Sequence, residues 1–194
     1  MPLTDNYFDT YAWDPRRRDR SYAANWRSYG FHVFERYLSD LEACVLPYPK
    51  RVIDFGAADG HVIADLLRRG IDARGVELSK YMYEAAAPDI RARIQHGDVR
   101  ELAKKIRSKC TDCIYETAGQ YLPEADLPEY FRELARITSQ DLVLLVHTKD
   151  MSEKSHHEQV THKPDQFWRD LITGAGFIEA GDPNEHPFWF QKAE

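Results

Sequence analysis

Residues 52–60, Val-Ile-Asp-Phe-Gly-Ala-Ala-Asp-Gly, constrain this chain more than any other segment. Val52 to Phe55 form a short apolar run behind the breaker Pro47-Tyr48-Pro49, and His61 to Arg69 repeat apolar residues (Val62, Ile63, Leu66, Leu67) at helical spacing up to Gly70. The pattern predicts a buried strand that ends on a carboxylate and turns through glycine into a helix. Such a turn lets the backbone approach a ligand at the carboxyl edge of a parallel sheet, where open α/β folds bind.

The spacing decides which ligand. A dinucleotide fingerprint is G-x-G-x-x-G with an acidic residue about 20 positions on. Here Asp54 precedes Gly56 by two residues, and Ala58 stands where a middle glycine belongs. A carboxylate there repels a pyrophosphate at the helix N-terminus and suits a cationic amine. Residues 73–78 read as a second strand ending on Glu77, placed to accept two ribose hydroxyls. Residues 92–99 read as a third ending near Asp98, placed to accept from an adenine amino group.

With these residues in view, Val52–Gly60, Gly75–Ser79 and Gly97–Val99 resemble the first three motifs of the class I S-adenosylmethionine-dependent methyltransferases, small-molecule branch. Cys113–Thr117 and Gln120–Glu124 resemble that branch's fourth strand and following helix, Leu142–His147 its fifth strand, and Phe167–Phe177 the helix and turn before its final hairpin. The resemblance covers about residues 50–192. It implies an α/β, Rossmann-like, seven-stranded sheet of order 3-2-1-4-5-7-6 with the last strand antiparallel and helices on both faces. It also implies S-adenosyl-L-methionine as cofactor, S-adenosyl-L-homocysteine as product, and cofactor contacts from Asp54, Phe55, Gly56, Ala57, Gly60, Glu77, Leu78, Asp98, Val99, Glu116 and Thr117. Three departures stand out. Ala58 replaces a glycine, which alanine tolerates because it adds only a methyl. Tyr121 sits before Leu-Pro where the branch often has histidine, and Glu116-Thr117 lacks the Asn-Pro-Pro-Tyr signature of nucleobase-methylating enzymes.

The 194 residues suit one compact domain, read as an N-terminal helical extension or lid over 1–49 and a methyltransferase domain over 50–194. A formal net charge of −6 argues against a nucleic-acid partner, which needs a basic face. No run approaches the roughly 18 apolar residues that span a membrane, and no signal-peptide pattern opens the chain. These readings predict a cytoplasmic protein, monomer or homodimer, acting on a small-molecule substrate. Cys110-Thr111-Asp112-Cys113 spells C-x-x-C without a second thiol pair, so the cysteines read as structural and no metal is assigned.

Tyr22, Trp26, Tyr29, Val33, Tyr37, Leu41 and Val45 recur at spacings of three and four, which predicts one long amphipathic helix ending before Pro47. Its aromatic stripe reads first as packing on the sheet and second as a lid. In the second reading Trp26 and Tyr22, with Tyr121, touch substrate. Arg16-Arg17-Arg18-Asp19-Arg20 lies among Asp5, Asp9 and Asp14, so its field is largely cancelled.

Of the histidines, His147 ends the fifth strand, and His156, His157 and His162 lie in the polar loop before Pro164. They read as capping or solvated residues, or as groups that orient an acceptor or take its proton, in the order His162, His157, His147. Three functions remain open: methylation of an oxygen or nitrogen of a small molecule, methylation of a peptide or protein, and binding of the cofactor without methyl transfer.

Overall fold

The computed structural model describes residues 34–44, 46–149, 160–180 and 188–193. Tyr22, Trp26 and His157 lie outside them, as does the arginine run.

The first described element is a helix over 34–43, here α1. Its buried face is Phe34, Tyr37, Leu38 and Leu41, so the spacing of three and four inferred for the stripe holds where it is described. It ends four residues before Pro47, in keeping with the expected stop before that residue. Then follow β1 (Arg51–Phe55), α2 (His61–Arg68), β2 (Asp72–Glu77), α3 (Lys80–Ala85), α4 (Pro88–Arg91), β3 (Ile94–His96), α5 (Val99–Lys105) and β4 (Thr111–Glu116). The second half holds α6 (Leu127–Ile137), β5 (Thr138–Leu144), α7 (Asp165–Gly174), β6 (Phe177–Glu179) and β7 (Phe188–Lys192).

The seven strands form one sheet in the order β3-β2-β1-β4-β5-β7-β6. Neighbours from β3 to β5 pair in parallel, and β7 runs antiparallel to both β5 and β6. This is the expected Rossmann-like order. Apolar side chains alternate between the faces of each strand, so a separate core lies on either side. One packs Phe55, Val76 and Ile114 under α5, α6 and α7; the other packs Val52, Ala73 and Cys113 under α1 and α2.

Element ends differ from the sequence reading in three places. β3 is only Ile94–His96, because residues 88–91 close a helical turn behind Pro88 and leave Asp98 beyond the strand. β5 starts directly after α6 and ends at Leu144, so residues 145–147 lie past it. Behind β4, two 3-10 turns over Gly119–Tyr121 and Glu124–Asp126 precede α6. The end of α2 is as read: Ile71 N–H donates to Leu66 C=O and Gly70 N–H to Leu67 C=O, the paired bonds that close a helix on a following glycine.

α1 is fixed to the far half of the sheet by a buried polar group. Tyr37 Oη donates to Asp141 Oδ2 at 2.8 Å and Trp189 Nε1 to Oδ1 at 3.0 Å. The Tyr37 and Trp189 rings meet edge to face, 5.5 Å apart. Burial raises the Asp141 carboxyl above its usual range, and the Trp189 and Tyr37 hydrogen bonds offset only part of the rise.

Candidate active site

The carboxyl ends of β1, β2 and β4 meet at the glycine turn. Gly56 (φ 96°) and Gly60 (φ 77°) both adopt left-handed backbone. A Cβ on Gly56 would lie 2.4 Å from Thr117 Oγ1, and one on Gly60 would lie 2.3 Å from Ile90 Cγ2, so neither position admits a side chain. Ala58 also has positive φ, 49°. Here the sequence reading needs correction: alanine's cost is the left-handed backbone, not the size of a methyl. What holds the strained residue is its N–H, which donates to Glu77 Oε2 at 2.7 Å.

Three carboxylates converge on this edge. Asp54 is 2 % exposed, Glu77 7 % and Glu116 0 %. Asp54 Oδ1 has no hydrogen-bond partner among the described residues. Burial, with Glu77 and Glu116 close by, drives its carboxyl well above the usual range. Glu77 Oε1 accepts from Ser79 N–H at 2.6 Å and Oε2 from Ala58 N–H, yet burial outweighs these bonds and raises its carboxyl too. Glu116 Oε1 accepts from Ala118 N–H (2.8 Å), Gly119 N–H (2.7 Å) and Tyr130 Oη (3.0 Å), while Oε2 has no partner among the described residues. Burial pushes this carboxyl up to about 7 against the three bonds to its ionised form. Among the described residues, none of the three is ion-paired.

The other expected cofactor residues take distinct places. Phe55, Ala57 and Val99 point their side chains into the cores, which leaves only their backbone for the turn. Leu78 is half-buried. Thr117 Oγ1 donates to the carbonyls of Phe55 and Gly56, so it ties β4 to the turn. Asp98 caps α5 through Arg100 N–H. The Arg100 guanidinium grips both of its oxygens and reaches on to Asp126. Burial works against ionisation of Asp98, but the Arg100 bonds prevail and hold its carboxyl below the usual range. With each oxygen already accepting twice, Asp98 is a structural cap, and an adenine amino group would have to share it.

Beside this cluster lie the loops after β5 and before α7. The His147 and His162 rings stack 5.8 Å apart and 24° from parallel. His162 Nε2 is buried and has no partner among the described residues. The pair is held through Gln120, which sequence reasoning did not single out. Its backbone carbonyl accepts from Val160 and Thr161 N–H, and its Oε1 accepts from His147 N–H at 2.9 Å. Thr161 Oγ1 donates to Leu122 C=O at 2.7 Å, so it anchors the loop and does not cap α7, whose N-cap is Pro164. Tyr121 is half-buried in the first 3-10 turn of the same segment. No short-range pattern marks Gln120, because its partners lie 27 and 40 residues downstream in separate loops.

Comparison with known proteins agrees with this geometry. Residues 52–141 match the family model described as a methyltransferase domain. No curated protein matches the chain. Among solved structures, the magnesium protoporphyrin IX methyltransferase ChlM of Synechocystis PCC 6803, with S-adenosylhomocysteine bound, is 14 % identical with a TM-score of 0.69 over 98 % of each chain. A putative methyltransferase solved with its Trm112 activator from Haloferax volcanii is 18 % identical, TM-score 0.68, over 92 % of this chain and 78 % of that one. YcgJ of Bacillus subtilis is 21 % identical with a TM-score of 0.56. The match covers 68 % of this chain and spans 63 % of the length of YcgJ.

Proposed function

We propose, from the premise that this chain belongs to the class I S-adenosylmethionine-dependent methyltransferases, that it methylates an oxygen or nitrogen of a small-molecule acceptor held beside His147 and His162. The observation that carries the reading is the set of buried carboxylates at the strand ends, Asp54, Glu77 and Glu116, with no ion-pair partner among the described residues. Uncompensated buried charge is costly, and such groups either hold their protons or await a cation. A ligand bearing an ammonium and a sulfonium on a ribose supplies the missing positive charge and the hydroxyls. A dinucleotide would add phosphates to an already acidic edge.

When bound, S-adenosylmethionine supplies a methyl group already activated by positive sulfur. Asp54 and Glu116 would hold its cationic end, and Glu77 would accept from the ribose hydroxyls with part of its acceptor capacity. The chain's remaining task is to align the acceptor's lone pair with the methyl in a site that excludes water. For a hydroxyl or a neutral amine, His162 would take the acceptor's proton on Nε2 as the acceptor's lone pair bonds to the methyl carbon and the methyl–sulfur bond breaks to leave the neutral thioether. His147, stacked on the ring and fixed through Gln120, orients it.

The test is calorimetric. Wild type should bind S-adenosylhomocysteine, and Asp54→Asn and Glu77→Ala should each bind it about ten- to a hundredfold more weakly. His162→Ala should bind it normally while turnover on the true acceptor drops by roughly 10²- to 10⁴-fold. Tight NAD binding with no affinity for either sulfur nucleoside ends the proposal.

A further inference from the structure

The sheet has a second concavity, on the edge away from the carboxylate cluster. A groove of about 880 Å³ opens where the first residues of β1, β2, β3 and β4 all form part of its wall. It therefore opens at the amino edge, and none of Asp54, Glu77 and Glu116 lies in its wall. Its floor includes the half-buried apolar residues Ile53, Ile106 and Cys110, which share one face of the sheet. Its rim is basic: Arg51, Arg74, Arg93, Lys105 and Arg107 line it against two carboxylates, Asp72 and Asp89. Arg51 is paired with Asp112 and Arg93 with Asp72. Arg74, Lys105 and Arg107 are exposed and have no carboxylate partner among the described residues. In a chain of formal net charge −6, this is a local reversal of sign.

We propose that this groove docks an extended acidic segment of a partner protein, one in which carboxylates alternate with apolar side chains. An extended chain presents alternate residues to opposite sides, so one set lies on the apolar floor while the other meets the rim. Guanidinium groups bind carboxylates bidentately, which favours arginine on such a rim. A small-molecule site is a poorer fit, since those are enclosed and mostly apolar with a few polar groups. So is nucleic acid. Asp72 and Asp89 interrupt the basic rim, the whole chain is negative, and no aromatic ring among the described residues lines the groove to stack a base.

The experiment uses the full chain and a fluorescein-labelled peptide of alternating glutamate and valine, read by fluorescence anisotropy. Wild type should bind it, and binding should weaken as salt is added. The triple variant Arg74→Glu/Lys105→Glu/Arg107→Glu should bind it about tenfold more weakly or worse, because three attractive contacts become repulsive. Its affinity for S-adenosylhomocysteine should stay at the wild-type value, which shows that the fold and the opposite edge are intact. The proposal is overturned by any of four results: no peptide binding by wild type, undiminished binding by the triple variant, tighter binding of an RNA oligonucleotide of equal length, or a wild-type dimer that the triple variant abolishes.

Discussion

Ala58 and Glu116 show how single residues hold strain in this site. An L-residue in left-handed backbone costs about 1–2 kcal/mol, and glycine is relieved of most of that. Ala58→Gly should therefore raise unfolding stability by about 1 kcal/mol, read as a higher urea midpoint at unchanged slope. Its amide keeps the bond to Glu77, so cofactor affinity should be unaltered.

Glu116 stores energy in a different form. Its carboxyl titrates near pH 7 in the folded protein against an ordinary value of 4.5, so the native state holds this proton more tightly than the unfolded chain does. The associated stability is fully present below about pH 4.5 and is lost as pH rises through 7. The size is about 3 kcal/mol, since each tenfold gain in proton affinity is worth about 1.4 kcal/mol. Denaturant titrations of the ligand-free protein at pH 5 and pH 8 should show this decline, and Glu116→Gln should reduce it, leaving the share contributed by the other buried carboxyls such as Asp54. A variant that keeps the full pH slope would mean that Glu116 is not its source.

At the scale of elements, the close approach of the glycine turn and α2 to β2 is a firm constraint. Gly75 lies in β2 with Ala57 Cβ and Ile63 Cδ1 at 2.5 and 2.7 Å from where its own Cβ would sit. Gly75→Ala must push α2 away from the sheet, at a cost of about 1–3 kcal/mol for overpacking. Because the glycine turn feeds α2, S-adenosylhomocysteine affinity should fall in the same variant, by calorimetry.

The sequence carried much of this architecture. An apolar run marked β1, residues 73–78 read as β2, and the family resemblance implied β4 and β5. The carboxylates that end the first, second and fourth strands stand where they were expected. Local patterns failed where tertiary contacts decide. β3 is shortened by a turn that Pro88 starts, Asp98 is claimed by Arg100, and Gln120 takes its meaning from two distant loops. One signal was available and misread. Ala58 occupies a glycine position, and a glycine position in such a turn asks for positive φ before it asks for small size.

At the scale of the whole molecule, the two edges of the sheet divide the chemistry. Buried acid collects at the carboxyl edge and exposed base at the amino edge. A cationic ligand at the first should favour the ionised carboxylates, so binding near pH 7 should release protons from Asp54 and Glu116. Calorimetry of S-adenosylmethionine in two buffers of different ionisation enthalpy would measure the release directly. Equal heats in both buffers would show that the carboxylates stay protonated around the ligand.

The Tyr37–Asp141–Trp189 contact also bears on how the chain comes to be made. α1 leaves the ribosome early, but its hydrogen-bond partner Asp141 follows 104 residues later, and Trp189 a further 48 after that. Translation thus delivers the helix long before its seat exists, and the seat is finished by the last strand. Contacts of such wide separation form late and slow folding. During synthesis the helix should lack its full set of contacts until β7 emerges. Ribosome-bound chains of increasing length should gain protease protection over 34–43 only once Trp189 has cleared the exit tunnel.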